Sequence, residues 1–337
     1  MELTFWATLV GMLLVFFTFA AYATLFERKV AAYIQDRVGP NRVGPWGLLQ
    51  PLADVLKLVF KETFQPLPSY RFLQVLAPIL MVTLAVGALA MLPLSPHLQI
   101  FEGSIGLLYL LGLFSLGVYG LSLAGWATGS KYSLLGGLRS GAQAISYELS
   151  LGTALLSVLL LTAALVPEAN PLLPRSIVEA QRHGWFVLLN PIGFLVYVVA
   201  AFAEANRAPF DLVEAEQELV GGYHTEYSAI RFGAFFVAEY MNMITASALI
   251  STFFFGGYLG PFESLLGVAQ WPIIWQNAWG ISWLVLKTLF WVFVFIWVRW
   301  TLPRFRYDHL MQIGWKVLLP LGLVNLAVLA GVIMLTL

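Results

Sequence analysis

Long runs without charged residues alternate with short polar connections along the whole chain. A hydrocarbon core about 30 Å thick needs about 20 apolar residues per helix, so the longer runs predict transmembrane helices. Eight spans are predicted, over residues 3–26, 72–93, 105–127, 141–164, 185–205, 229–256, 273–298 and 315–336.

Composition supports a membrane protein. Of 337 residues, 60% are hydrophobic and 11% are charged, and the mean hydropathy is +0.82, outside the range of soluble domains. We therefore predict an all-α polytopic fold, with residues 1–337 forming a single membrane domain. The first span is long, lacks a basic start and precedes no small-residue cleavage site, so we expect it to be retained.

Cysteine content and charge restrict the chemistry of the chain. It contains no cysteine, which excludes disulfides, thiolate metal sites and an iron–sulfur cluster held by this chain. We therefore expect any redox centre to lie in a partner, and we predict no metal site. The net charge is zero and no basic tail is present, so we expect no nucleic-acid partner.

The distribution of lysine and arginine predicts the orientation. Cytoplasmic loops carry the excess of basic residues, and fifteen of the eighteen fall in the first, third, fifth and seventh connections. The opposite side has only Arg175 and Arg182, while Lys287 falls inside a span. We therefore expect both termini to face outward and the acidic connection after the fifth span to face the cytoplasm or matrix.

The first connection is too long and too apolar to be a simple loop. RVGP occurs at 37–40 and again at 42–45, which predicts two tight turns that hold two arginines close together. An amphipathic helix over 47–62 is predicted next, too short to span and so expected to lie in the interface or to pack on other spans. One face of it carries Gln50, Asp54, Lys57 and Lys61. The helix either exposes these charges to water or turns Asp54 and Lys57 toward a pocket.

Three ionisable residues fall well inside predicted spans, where a charge costs about 2.5–3.5 kcal/mol. Helix rise places Glu148 at roughly 13 Å, Glu239 at about 12 Å and Lys287 near roughly 18 Å from the membrane surface. Buried carboxylates with incomplete pairing exchange protons near neutral pH. The alternative is that all three groups are locked in interhelical salt bridges or hydrogen bonds.

An acidic connection, residues 204–228, holds a third of the carboxylates of the chain. They are Glu204, Asp211, Glu214, Glu216, Glu218 and Glu226. Pro209 breaks the preceding helix. The i, i+3, i+7 spacing of Asp211, Glu214 and Glu218 then predicts a short helix with these three acids on one face.

Together with Glu148 and Glu239, these carboxylates predict a hydrated acidic file from the cytoplasmic face toward the midplane. Two other interpretations stay open at this point: a solvated acidic loop without function, and a cation-binding vestibule as in a channel.

Four long blocks of the sequence resemble one known family. They are ERKVAAYIQDRVGPNRVGPWGLLQPLADVLKLVFKE at 27–62, LAGWATGSKYSLLGGLRSGAQAISYELSLG at 123–152, AEANRAPFDLVEAEQELVGGYHTEYSAIRFGAFFVAEYMN at 203–242 and RWTLPRFRYDHLMQIGWKVLLP at 299–320. The chain is similar to subunit 1 of proton-pumping NADH:quinone oxidoreductase, respiratory complex I, which is called the H subunit in bacteria. The resemblance runs nearly end to end, and only the non-cytoplasmic loops lack recognisable motifs.

This resemblance implies a membrane subunit that joins the electron-transfer arm to the proton pumps. It implies a quinone cavity lined by Arg28, Arg37, Asp54, Lys57 and Lys61, with Arg299 and Arg304 as further candidates. It also implies a proton path through Glu148, Glu204, Asp211, Glu214, Glu216, Glu218, Glu226 and Glu239, to which the buried Lys287 is added. No catalytic residue is expected in this chain itself.

The same resemblance implies the partners and the location. The substrate is ubiquinone or menaquinone, and FMN and iron–sulfur clusters are expected in partner subunits. Expected partners are the hydrophilic quinone-site and terminal iron–sulfur subunits, the small membrane subunits, the antiporter-like pump subunits and membrane lipid. We expect a multi-pass protein of the bacterial inner membrane with both termini on the periplasmic side, in preference to the mitochondrial inner membrane.

Two other functions compete with this one. A homologous subunit serves membrane-bound hydrogenases and ferredoxin-linked complexes, although the complete RVGPNRVGP loop favours the quinone enzyme. A stand-alone ion carrier would use Glu148, Glu239 and Lys287 as its ion site, but the chain lacks the internal repeat that many carriers show.

Overall fold

The computed structural model describes residues 2–336 except 102, 215 and 262, without the side chains of 2–9, 12, 183, 216, 217, 264, 265, 269 and 336. Within these residues the α-helices are α1 (Glu2–Ile34), α2 (Gln50–Phe60), α3 (Arg71–Ala90), α4 (Gly106–Ala127), α5 (Lys131–Leu165), α6 (Pro174–Ala180), α7 (Phe186–Leu189), α8 (Pro191–Glu204), α9 (Glu216–Leu219), α10 (Ala229–Phe254), α11 (Glu263–Leu266), α12 (Ile273–Thr301), α13 (Tyr307–Gln312) and α14 (Leu319–Thr336). A π-helical stretch, Ile313–Leu318, joins α13 to α14. A small hairpin pairs β1 (Pro93–Ser95) with β2 (Leu98–Gln99).

Most of the predicted spans correspond to apolar helices. Among the described residues, six helical stretches are long and apolar enough to cross a membrane: 71–90, 106–127, 131–165, 229–254, 273–301 and 307–335. The helix α8 is a shorter apolar helix. The predicted all-α polytopic membrane class is confirmed, whereas the division into eight spans and the outward termini stay predictions.

Two helices extend well beyond their apolar runs. The helix α1 continues to Ile34, eight residues past the predicted end of its span, and α5 begins at Lys131, ten residues before the predicted start. Charged residues therefore sit on helices that continue out of the apolar zone, which places Glu27 and Arg139 on rigid elements rather than in loops. In the first connection, the amphipathic helix is α2, Gln50–Phe60, slightly shorter than the predicted 47–62.

The helix α5 is the centre of the fold and packs against α4, α8 and α14. Its core face carries Tyr147, Leu151, Leu155 and Val158, each at most 2% exposed. These residues recur every three or four positions, as expected of one stripe of an α-helix. The opposite side carries exposed apolar residues such as Leu149 and Leu156, which suits contact with lipid or another subunit.

Small residues bring α4 and α5 into backbone contact. A Cβ on Gly125 of α4 would lie 2.5 Å from the carbonyl oxygen of Ser133, and a Cβ on Gly137 of α5 would lie 3.2 Å from that of Leu121. Without a driving force from water, membrane helices associate by close packing, for which such small residues are enriched. The crossing therefore has no room for a larger side chain at Gly125.

The acidic connection does not form the predicted helix. The expectation that Asp211, Glu214 and Glu218 share one face of a helix is wrong, because residues 212–214 form a turn and the α-helix described there, α9, begins only at Glu216. Leu212 and Val213 of this turn are each 1% exposed, so the turn packs both apolar side chains into the interior.

A glycine fixes how this connection folds back on itself. Gly222 has a φ of +60°, and a Cβ there would overlap the carbonyl oxygen of Val213. Gly222 thus allows the end of the connection to pass against its beginning. As a result, the side chain of Glu214 faces the interior of the protein rather than water.

We expect Gly125→Ala to destabilise the protein by about 1–3 kcal/mol, because the methyl group forces α4 away from α5. The measurement is the melting temperature of the protein purified from membranes in detergent. Gly112→Ala on the same helix is the matched control, since a Cβ at Gly112 meets nothing within 4 Å. Equal melting temperatures for the two variants would contradict the close packing described above.

Candidate functional site

A buried arginine holds two carboxylates from different helices. Arg207, in the connection after α8, contacts Glu27 of α1 through Nη1 and Oε2 at 2.8 Å. Its Nε lies 2.7 Å from Oε1 of Glu239 in α10. The Arg207 side chain is only 2% exposed, and its guanidinium lies 4.3 Å from the ring centroid of Tyr240. Burial disfavours the charged guanidinium, but Glu239 and Glu27 more than offset this and raise the pKa of Arg207 above its ordinary value.

Two further arginines complete an ion cluster around Arg207. Arg299, at the end of α12, donates from Nη1 to Oε1 of Glu27 at 2.5 Å. Arg304 donates from Nη2 to Oδ2 of Asp211 at 2.9 Å. We define the ion cluster as Glu27, Arg207, Asp211, Glu239, Arg299 and Arg304. Three cations and three anions therefore meet where α1, α10, α12 and the acidic connection converge.

Glu214 lies beside this cluster without a cation of its own at close range. Its nearest charged partner is His224, whose Nδ1 is 3.7 Å from Oε1 of Glu214. Burial, and then the negative charges of Glu239 and Asp211, raise the pKa of Glu214 well above its ordinary value. Burial also raises the pKa of Asp211, although Arg304 and Arg299 oppose this. Glu214 therefore holds a proton more readily than an ordinary carboxyl does.

Two other acids of the connection are less buried. Glu218 is 50% exposed and accepts a hydrogen bond from Nη1 of Arg139 at 2.5 Å. Glu226 is half-buried and makes no ion pair with any residue that the structure describes. The backbone of Glu216 begins α9, but its side chain lies outside the described residues. Glu218 and Glu226 thus lie on the outer side of the acidic connection.

Two acids lie deeper, between α4, α5 and α8. Glu148 of α5 accepts a hydrogen bond from the hydroxyl of Ser115 in α4. Glu204, the last residue of α8, is close enough to Glu148 for the two carboxyl groups to interact electrostatically. Glu204 also lines two small cavities between α3, α4, α8 and α10. Glu204 and Glu148 thus extend the series of buried carboxylates that begins at Glu239.

A cavity of about 540 Å³ separates α1, α2 and α10. Four of the predicted quinone-cavity residues line it: Arg28, Asp54, Lys57 and Lys61. Nη1 of Arg28 contacts Oδ2 of Asp54 at 2.7 Å, which ties α1 to α2 across the cavity. Apolar and aromatic side chains such as Phe232 and Phe236 form most of the remaining wall. Of the two interpretations of α2, its position beside the cavity favours the one in which Asp54 and Lys57 face a pocket.

Other predicted cavity residues lie elsewhere. Arg299 and Arg304 belong to the ion cluster and do not line the cavity. Arg37 lies on an exposed turn, where its Nε donates to Oε1 of Gln35 at 2.8 Å. The structure therefore places Arg37 away from the cavity as this chain alone forms it.

Lys287 is not brought together with the acids. Its ammonium group donates to three backbone carbonyl oxygens that follow α10, those of Phe255 at 2.7 Å, Gly257 at 2.8 Å and Leu259 at 2.7 Å. A lysine has three ammonium donors, and these contacts use all of them. The ring of Trp185 lies 5.8 Å from the same nitrogen. Lys287 therefore caps the end of α10, as a cation does at a helix C-terminus.

Sequence reasoning missed two members of the cluster. Glu27 lies at the end of an apolar run and Arg207 follows the fifth predicted span, so the sequence pattern alone marks neither as a buried ion-pair partner. The signal that points to them is the presence of Glu239 inside a span, because a buried carboxylate requires a cation nearby. Tyr240 was also missed, since nothing in its spacing marks it as a wall shared by the cavity and the cluster.

Metal binding finds no support among the described residues, where no group of three or more His, Cys, Asp or Glu side chains has the arrangement to hold an ion. The acids of the cluster are instead compensated by arginine.

Comparison with known proteins shows one family. The profile of the NADH dehydrogenase family matches residues 7–330. NADH-quinone oxidoreductase subunit 8 of Rhodothermus marinus is 52% identical over 336 residues, covering 97% of this chain and 96% of its own length. The NADH-quinone oxidoreductase H subunits of Salinibacter ruber and Deinococcus deserti are 50% and 49% identical, covering 94% and 96% of this chain and 92% and 82% of their own lengths.

We expect Arg207→Met to destabilise the protein by about 3–5 kcal/mol, because it leaves Glu27 and Glu239 buried without their shared cation. The measurements are the melting temperature of the purified protein and its amount in the membrane. Adding Glu239→Gln to this variant should restore part of the loss by removing one unpaired charge.

The matched control is Arg306→Met, since the Arg306 and Asp308 side chains of that ion pair are 76% and 61% exposed. Exposed pairs contribute little, so no measurable change is expected. Similar losses in the Arg207 and Arg306 variants would contradict a special role for the buried cluster.

Proposed function

Since the chain belongs to the NADH dehydrogenase family, as a membrane subunit of NADH-quinone oxidoreductase, we propose that it admits quinone and transmits the charge change of quinone reduction to proton pumps. The quinone occupies the cavity between α1, α2 and α10. The buried carboxylates from the ion cluster to Glu148 form the path along which protonation changes travel.

The cavity has the size and lining that a quinone requires. A volume of about 540 Å³ lies within the range of small-molecule sites, which are mostly apolar with a few placed polar groups. Here the apolar wall suits the isoprenoid chain, and Arg28, Lys57 and Lys61 supply hydrogen-bond donors for the ring carbonyls, while Asp54 holds Arg28 in place. Both ubiquinone and menaquinone satisfy this description.

One observation carries the proposal: Tyr240 lines the cavity and contacts the ion cluster. Its side chain lines the cavity, and its ring lies under the Arg207 guanidinium. Tyr240 also interacts with the Glu27 carboxylate. A change of charge in the cavity therefore acts directly on Arg207 and its two carboxylates, across a single side chain.

The coupling follows from the chemistry of the substrate. Reduction of a quinone to a quinol takes up two electrons and two protons. If side chains at the inner end of the cavity supply protons, negative charge remains there and competes with Glu239 for Arg207. Glu239 and Glu214 then bind a proton more tightly, and coupled titration passes the change to Glu204 and Glu148.

The acids of the connection take different parts in this proposal. Asp211 and Glu214 lie at the cluster, while Glu216, Glu218 and Glu226 connect the path to the aqueous side. Arg37, Arg299 and Arg304 act with partner subunits or through the cluster rather than as cavity walls. Lys287 is proposed as a fixed cap of α10, outside the proton path, because its three donors are already used.

Partner subunits supply the remaining chemistry. The electrons come from an iron–sulfur cluster in a hydrophilic subunit, which FMN in another subunit feeds from NADH. Small membrane subunits and antiporter-like subunits receive the charge change. We place the chain in the bacterial inner membrane, with both termini on the periplasmic side.

We expect Thr24→Trp to impair quinone binding, because Thr24 lines the cavity and an indole there occupies much of the space. If overpacking weakens the binding free energy of quinone by about 1 kcal/mol or more, the KM for quinone rises at least about fivefold. The measurement is NADH:quinone reductase activity of the purified enzyme.

Two controls accompany this variant. NADH oxidation by a hydrophilic artificial acceptor, which bypasses the cavity, should stay unchanged. Leu14→Trp on the same helix places an indole at a side chain that is 64% exposed and should leave the KM unchanged. A normal KM in an assembled Thr24→Trp enzyme would disprove the proposed position of the quinone.

We expect Glu214→Gln to lower both quinone reductase activity and proton pumping by about tenfold or more, because a glutamine cannot take part in coupled titration. Glu218→Gln is the matched comparison, since Glu218 is exposed and paired with Arg139. Glu218→Gln should lower both rates much less than Glu214→Gln does. Normal rates in both variants would rule out the acidic connection as the path.

The raised pKa of Glu214 gives a second readout. The folded protein holds this proton to a higher pH than the unfolded chain does, so its contribution to stability is present below the ordinary pKa of 4.5 and is lost as pH rises through the folded pKa. The melting temperature of Glu214→Gln should therefore increase relative to the unsubstituted enzyme as pH rises. An unchanged difference across this range would argue against a buried, proton-bearing Glu214.

A further inference from the structure

Three small cavities lie along the buried acids. Each has a volume of about 20 Å³, which is enough for one water molecule. Glu214 and Glu239 line the first of them, and Glu204 lines the other two. The acidic path is therefore divided into an outer half at the ion cluster and an inner half at Glu204.

One uncharged residue lines all three cavities. Asn242 of α10 follows Glu239 by three positions, so the two side chains lie on the same face of that helix. The other lining groups near it are mainly apolar, such as Met81, Leu121 and Phe114. Asn206 is a further polar group at the first cavity, but of the two only Asn242 lies between Glu239 on one side and Glu204 on the other.

The amide of Asn242 has hydrogen-bonding capacity that the described part of the chain does not use. No described residue donates to or accepts from its side chain. An amide has two donor hydrogens and one acceptor oxygen, and the Asn242 side chain is only partly buried. Each adjoining cavity has room for one water molecule that could complete these hydrogen bonds.

We propose that Asn242 is a positioning residue that holds water on both sides of itself and so connects the two halves of the acidic path. Its carbonyl oxygen accepts a hydrogen bond from one water, and its amino group donates to another. This inference rests on the proposed function, because it assumes that protons move between the Glu214–Glu239 pair and Glu204.

The transfer step conserves protons. A carboxylic acid at Glu239 or Glu214 gives a proton to the first water, which passes one of its own protons to the next. The last water protonates the carboxylate of Glu204, and each water regains its original composition. Asn242 keeps both of its amide hydrogens throughout and acts only by orienting the waters. The same steps run in the opposite direction.

The test compares variants of the complete enzyme in proteoliposomes. Asn242→Leu preserves the approximate size but removes the hydrogen bonds to water. We expect quinone reductase activity coupled to pumping to fall by about tenfold and its solvent deuterium isotope effect to rise. NADH oxidation by a hydrophilic acceptor should stay unchanged, which shows that the enzyme is assembled. Asn242→Ser, which keeps a hydroxyl and leaves more space for water, should recover most of the activity.

Thr245→Val is the matched control on the same helix. Its hydroxyl donates to the carbonyl oxygen of Met241 at 2.8 Å, and Thr245 lines none of the three cavities. This variant also removes a buried polar group but should leave activity and isotope effect unchanged.

The possible outcomes distinguish a failure of the inference about Asn242 from a failure of the proposed function. Normal activity in Asn242→Leu, with impaired Glu214→Gln and Glu204→Gln enzymes, would overturn the role of Asn242 alone. Normal activity in all three variants would overturn the proposed path as well. Equal losses in Asn242→Leu and Asn242→Ser, without a change in isotope effect, would show a packing role and also overturn the inference.

Discussion

The pairing of Arg207 with Glu27 and Glu239 is the constraint on which the site depends. A buried arginine is tolerated only where carboxylates compensate it, so the connection after α8 must enter the interior between α1 and α10. That contact fixes one side of α1 and α10 to each other. The other faces of α1 and α10 remain apart. The helix α2 packs across the space between them, and the cavity of about 540 Å³ lies there. The ion cluster and the cavity are thus two sides of one packing arrangement.

Two kinds of buried charge occur in this protein, and they imply different behaviour. Lys287 has a carbonyl oxygen for each of its ammonium hydrogens, so its surroundings hold it in a single position. At Glu214, burial and the charges of Glu239 and Asp211 outweigh the opposing charges of Arg299 and Arg207, so its charged state is poorly compensated. A group of the first kind holds helices in place, whereas a group of the second kind responds to a charge that appears nearby.

Much of this architecture could be predicted from the sequence, but the site could be predicted only in part. Long charge-free runs predicted the apolar helices, because a membrane span needs about 20 apolar residues, and the spacing of polar residues on one face predicted α2. Spacing failed at Asp211–Glu218, where two adjacent apolar residues are both buried and the chain turns. It also could not pair Glu27 with Arg207, 180 positions apart, since such contacts depend on how helices pack. The family resemblance identified the acids, while their separation into buried and exposed groups required the fold.

Asn242 is neutral, and this lack of charge affects how strongly the titrations of the carboxylates on either side of it are coupled. Glu214, Glu239 and Asp211 already repel one another, and each added carboxylate would make the loss of a proton from any of them harder. In the proposed path, an amide at the junction binds water from both sides without adding charge, so protons pass between the outer and inner halves and no further charge lies between them. A charge change at the cavity then acts on the ion cluster first, and proton transfer carries it on to Glu204. This order follows from the geometry of α10, which places Tyr240, Glu239 and Asn242 within four consecutive residues.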